Sequence, residues 1–123
     1  MASILVVDDV DSVRSLLKTV LSRMGHDVRD AEEGASAVAL CRDLPPDLAF
    51  IDMYMPGQDG IETIRALQKE APEVKVVAMS GEQLEGGVDV LQMASMLGAI
   101  GILRKPFEID EVRELVTTTL GGG

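Results

Sequence analysis

The chain has 123 residues, the size of one ordinary domain and too short for two. Hydrophobic residues make up 46 % of it, enough to bury a real core, so wholesale disorder is excluded. A net charge of -10 and only three aromatic side chains (Phe50, Tyr54 and Phe107) exclude a surface that grips a phosphate backbone or stacks bases.

Short apolar runs alternate with segments of helical period along the whole chain. Ile4 to Val7 is a continuous β-branched-rich run that ends in Asp8 and Asp9. Val13, Leu16, Leu17, Val20, Leu21 and Met24 then follow at helical spacing, and Gly25 stops that helix. Asp27 to Ala31 reads as a second, more polar strand near an edge, and Ala35 to Leu44 as a short helix ended by Pro45 and Pro46. Leu48 to Ile51 is a third buried strand, again closed by an acid, Asp52. Ile61, Ile64 and Leu67 mark the next helix, which Pro72 terminates, and Val74 to Met79 forms strand four. After a glycine-bearing loop, Val90, Met93, Ala94 and Leu97 trace a helix stopped by Gly98. Ile100 to Leu103 is strand five, and Val112, Leu115, Val116 and Leu120 line a last helix.

Five such units with continuously apolar strands imply an α/β fold, a doubly wound parallel sheet covered on both faces by five helices. Right-handed crossovers make the strand order 2-1-3-4-5, and ligands in such sheets gather at the carboxyl ends of the strands. Residues 1–120 form the domain, and Gly121 to Gly123 read as a glycine tail or a linker remnant. Cys41 is the only cysteine, on a helix face, and reads as a small buried thiol in a reducing cytoplasm. His26 stands alone in a turn and reads as structural. No stretch approaches the roughly 20 apolar residues that cross a membrane, and no basic segment precedes the first apolar run. A soluble cytoplasmic protein is expected.

The polar residues at the strand ends carry the chemistry. Strand one ends at Asp8 and Asp9, strand three at Asp52, strand four at Ser80 and strand five at Lys105-Pro106. Taken as the central strands of the sheet, these bring their tips to one small pocket. Three carboxylates there repel one another unless a cation intervenes, and an oxygen-rich, partly hydrated site suits Mg²⁺ rather than Zn²⁺. Lys105 adds a fixed positive charge and Ser80 a hydroxyl donor, which together make a phosphoryl-transfer centre. Each piece alone has an ordinary explanation: a strand-end Asp as a turn former or helix cap, Lys-Pro as a solvated loop, Ser-Gly as a turn. Their joint placement on different strand ends is the informative feature.

Asp8-Asp9, the segment from Asp52 to Gly60, Met79-Ser80-Gly81, and Gly98-Ala99 with Lys105-Pro106-Phe107 resemble the response-regulator receiver family of two-component signalling over the whole chain. The resemblance implies a flavodoxin-like fold and Asp52 as phosphoacceptor, supplied by a histidine kinase or a histidine phosphotransfer protein. It implies Mg²⁺ held by Asp9, Asp52 and the backbone carbonyl of Tyr54, with Asp8 acting through water. Ser80 would bond the transferred phosphoryl group, Lys105 would pair with it, and Gly81 would leave room for it, while Pro56 and Gly60 shape the loop after the acceptor. Such a protein is no enzyme toward other substrates, although it promotes its own phosphoryl transfer and autodephosphorylation. Its output would be a downstream protein or a homodimer, through the face of helix four, strand five and helix five, where Met93, Met96 or Val112 would serve if exposed.

Many family members carry an aromatic residue three positions before the lysine; here the position is Ile102, so the readout is expected to run through aliphatic repacking or the loop after strand four. That loop, Ser80 to Gly87, is glycine-rich and expected to be mobile before phosphorylation, and Tyr54 and Glu82 are expected to flank the phosphoryl group. A strand-end Asp nucleophile also serves phosphatases and phosphomutases, but these need a second Asp two residues on, where this chain has Tyr54. A flavin carrier with this strand order needs hydroxyl and backbone donors in the first loop, which here is rich in Asp. The chain reads either as a free-standing receiver or as a receiver cut from a larger regulator.

Overall fold

The computed structural model describes residues 1–53, 60–81 and 90–120. Five strands, β1 (Ser3–Val7), β2 (Asp27–Ala31), β3 (Leu48–Asp52), β4 (Lys75–Ser80) and β5 (Gly101–Arg104), alternate with five helices. The helices are α1 (Asp11–Arg23), α2 (Gly34–Asp43), α3 (Gly60–Glu70), α4 (Val90–Met96) and α5 (Ile109–Thr119). All strand pairs are parallel, in the order β2-β1-β3-β4-β5 expected from the alternation. One sequence expectation needs correction: β5 pairs only with β4 and forms an edge, so it is not one of the central strands. It also runs from Gly101 to Arg104, one residue later than its apolar run suggested, leaving Ile100 in the bend before it, half exposed.

Two apolar layers flank the sheet because successive side chains on a strand point to opposite faces. Leu5, Val7, Ala49, Ile51, Val76 and Ala78 pack with Ala37 and Cys41 of α2, Ile64 and Leu67 of α3 and Ala94 of α4. Ile4, Val6, Leu48, Phe50, Val77, Met79 and Leu103 pack with Leu17, Val20 and Leu21 of α1 and with Val112 and Val116 of α5. Phe50 is fully buried in that second layer and contributes about 1.5–3 kcal/mol through its burial. Val112 therefore belongs to the core and is not available as an exposed contact, whereas Met96 is 86 % exposed. Leu16, although on the apolar stripe of the sequence, is 40 % exposed, because the stripe of α1 is wider than the groove it fills.

Gly25, with φ +94°, ends α1, and Gly98, with φ +108°, follows α4 in the same left-handed conformation, which side chains other than glycine rarely adopt. His26 accepts a bond at Nδ1 from the Ala2 backbone N–H at 3.1 Å and so ties the turn to the start of β1, a structural role as expected. Among the described residues no helix is long and apolar enough to cross a membrane.

Cys41 is fully buried, and its burial pushes the thiol up to about 11, only partly countered by the charge of Arg29. In the folded protein at about pH 8 the thiol is expected to resist a disulfide reagent, since the thiolate is the reacting species, and to react at once when urea is added. Fast labelling without denaturant would contradict this packing.

Candidate functional site

The strand register decides which side chains meet. Val7 pairs with Ile51, Ile51 with Ala78, and Ser80 with Arg104, so the next residues of β1 and β5 and the last of β3 and β4 lie at one end of the sheet. Asp8 is in phase with Ile4 and Val6, Asp52 with Leu48 and Phe50, and Lys105 with Leu103, all on the α1–α5 side. The Lys105 N–H donates to the Ser80 carbonyl at 3.0 Å, which extends the β4–β5 ladder by one rung.

Asp8, Asp52 and Ser80 are almost completely shielded from solvent, whereas Asp9 is exposed. Oxygens of Asp8, Asp9 and Asp52 lie within 4.8 Å of one another. The Lys105 Nζ donates to Asp8 Oδ2 at 2.8 Å and stands 3.5 Å from Asp52 Oδ2. Burial alone would lower the Lys105 pKa, but its bond to Asp8 and the charge of Asp52 outweigh that and hold it above 10.5. The lysine is thus a permanent cation throughout the neutral range. Asp8 also anchors the helix that follows it. Its Oδ1 accepts the Val10 N–H at 2.9 Å, satisfying one of the free donors at the start of α1, where Val10 has no side chain to do so.

Two glycines let the pieces approach. A Cβ on Gly60 would lie 2.5 Å from the Met53 Cα and 2.9 Å from the Asp52 carbonyl, so only glycine lets α3 begin directly against the end of β3. A Cβ on Gly81 would meet the Lys105 Cβ at 3.2 Å; the space that glycine leaves is lined by the lysine stem. The Lys105-Pro106 peptide bond is cis.

One cation at the site was missed from the sequence. Arg14, in the first turn of α1, is 9 % exposed, and its Nη1 donates to the backbone carbonyl of Asp8 at 2.7 Å. Its Nε donates to Asp30 Oδ2 at 3.1 Å, and its Nη2 bonds Asp11 and lies 3.6 Å from Glu32. Lys18 also reaches Asp30, at 3.2 Å; burial works against ionised Asp30, but these two cations prevail and hold its pKa below 3.8. A signal was present: Arg14 falls on the stripe of Val10, Leu17 and Leu21, where a charged residue needs a buried partner.

The structure brings together Asp8, Asp9, Asp52 and Lys105, with Ser80 on the adjoining rung. Tyr54, Pro56, Glu82 and the Gly86-Gly87 segment lie outside the described residues. The donor set consists of oxygens, reaches solvent through Asp9, and carries more negative charge than Lys105 neutralises, which fits a hard divalent cation that keeps some of its water.

Residues 4–117 match the sequence profile described as the response regulator receiver domain. Sporulation initiation phosphotransferase F of Bacillus subtilis is 35 % identical over 92 % of this chain and 89 % of that protein. The regulatory protein AtoC of Escherichia coli is 32 % identical over 95 % of this chain, which spans only 25 % of that protein. The receiver domain of NtrX from Brucella abortus superposes with a TM-score of 0.87 at 34 % identity, covering 98 % of this chain and 99 % of that one.

Among the described residues, three clustered carboxylates face one ammonium at the pocket, an excess of negative charge. Asp52→Asn is therefore expected to stabilise the protein in a chelator by roughly 1–3 kcal/mol, the scale of one like-charge contact at intermediate dielectric less the attraction to Lys105. Chemical denaturation with and without Mg²⁺ measures this. The same cation should stabilise the wild type more than the variant, and a variant that is less stable in chelator would refute the charge imbalance.

Proposed function

The chain belongs to the response-regulator receiver family, a phosphorylation-dependent switch of two-component signalling, and on that premise we propose that Asp52 is the residue it phosphorylates. The observation that carries this reading is the position of Lys105, bonded to Asp8 and 3.5 Å from an Asp52 oxygen. A carboxylate beside a fixed cation and two further acids is a nucleophile whose product charge is already provided for.

In the transfer, an Asp52 oxygen attacks phosphorus, the bond to the donor histidine nitrogen breaks, and the imidazole leaves neutral, keeping the proton already on its other ring nitrogen. Lys105 needs only to turn from Asp8 to reach a phosphoryl oxygen, and Ser80 supplies a hydroxyl donor from the neighbouring strand. Mg²⁺, when bound, neutralises the carboxylates and the incoming phosphoryl oxygens. Asp9 and Asp52 would hold it directly, together with the Tyr54 carbonyl. Asp8, whose oxygens accept bonds from Val10 and Lys105, would act through water. The protein would later hydrolyse its own acyl phosphate and act on no other substrate.

The donor would be a histidine kinase or phosphotransfer protein in the cytoplasm. The output would be a downstream protein or a second copy, bound through α4, β5 and α5, where Met93, Met96 and Ile102 are exposed. Ile102 faces solvent at 41 %, so an aliphatic side chain stands where many family members carry a ring.

Incubation with a small phosphodonor and Mg²⁺, followed by intact-mass measurement, is expected to add one phosphoryl group to the wild type and none to Asp52→Asn. An unmodified wild type, or an equally modified variant, would overturn the assignment.

A further inference from the structure

We infer that Arg14 sets the affinity of the acidic pocket for its divalent cation, by fixing the peptide plane between Asp8 and Asp9; the inference rests on the Mg²⁺ reading of that pocket. Arg14 is a positioning residue, not a ligand. Its guanidinium is held from three directions: the Asp8 carbonyl at the end of β1, Asp30 on β2, and Asp11 on its own helix. Its donors leave a rigid planar fork in fixed directions, so it cannot swing without giving up at least one of these bonds.

The consequence for the pocket follows from peptide geometry. The Asp8 carbonyl and the Asp9 N–H belong to one planar group, so pinning the oxygen sets the orientation of the whole plane. That plane carries the Asp8 carboxylate on one side, already bonded to Lys105 and Val10, and the Asp9 Cα on the other. Asp9 is exposed, so packing does not aim its side chain; the backbone before it does. Arg14 thereby fixes the direction of an acid it does not touch. The carbonyl bond is also demanded by burial, since a main-chain oxygen shielded from water needs a donor.

The alternatives differ in sign. Arg14 is faced by Asp11, Asp30 and Glu32, with Lys18 also on Asp30, so its charge is balanced outside the pocket. If it acted on the pocket by charge alone, removing it would tighten binding of a divalent cation. If it served only packing, the folded variant would bind as the wild type does. A positioning role predicts weaker binding.

The test uses the full chain and Mn²⁺ as probe, with free Mn²⁺ read by electron paramagnetic resonance during titration. Arg14→Gln is expected to bind Mn²⁺ about tenfold more weakly, the lower end of the effect of groups that orient metal ligands. Lys18→Met, which removes the other partner of Asp30 but leaves the carbonyl bond, should bind as the wild type does. The Mg²⁺ concentration for half-maximal phosphorylation by a small phosphodonor should rise in Arg14→Gln while the plateau rate is retained. Unchanged or tighter Mn²⁺ binding by folded Arg14→Gln overturns the inference. Should that variant fail to fold by circular dichroism, Arg14→Lys carries the test: it keeps the charge but not the fork, so weaker binding supports the role and wild-type affinity refutes it. A wild type that binds no Mn²⁺ fails at the level of the pocket itself, an outcome distinct from equal binding by wild type and variant.

Discussion

The site depends on a charge imbalance: one ammonium, that of Lys105, set among carboxylates that the sheet forces together. Among the described residues its contact with Asp8, at 2.8 Å, is shorter than that with Asp52, and Asp8 is fully buried. A buried carboxylate without a partner would be costly, so the lysine stabilises the fold and the site at once. Yet it cannot neutralise Asp9 and Asp52 as well. The shortfall makes the pocket responsive, because whatever arrives with positive charge or with donors for the acids changes the balance.

The sheet order creates this imbalance. β1 and β3 are adjacent because the chain reverses its direction of growth between them, and the residue after β1 and the last residue of β3 are both acids. β4 and β5 continue the sheet on one side only and bring the hydroxyl and the ammonium. α1 and α5 cover one face of the sheet and α2, α3 and α4 the other, so the acids lie at the carboxyl ends of the strands, where ligands of such sheets bind. The two apolar layers beneath are mainly aliphatic and hold the strands in register without supplying chemistry.

Much of this was legible in the sequence, for physical reasons that differ by residue. The continuous runs Ile4–Val7 and Leu48–Ile51 could only be strands covered on both faces, and the polar Asp27–Ala31 could only be an edge. Asp8, Asp52 and Lys105 were recognisable because strand ends are few and charged residues stand at three of them. Arg14 was missed although its place on the apolar stripe signalled a buried partner, because the partner at the site is a backbone carbonyl, which no residue type marks. Val112 was legible as part of the apolar stripe of the last helix, but helical period does not tell which part of a stripe the neighbouring sheet covers, and here it covers Val112. The later start of β5 reflects pairing with β4, a tertiary constraint that local pattern does not contain.

The bond from the Lys105 N–H to the Ser80 carbonyl makes the hydroxyl-bearing strand and the ammonium-bearing loop consecutive parts of one ladder. Substitution can replace either side chain separately, but the main-chain link between them belongs to no side chain and survives any such exchange except proline at 105. A displacement of Ser80 along its strand must therefore carry the base of the lysine with it. Hydroxyl and ammonium are mechanically geared, and selection can retune their chemistry far more freely than their relative timing.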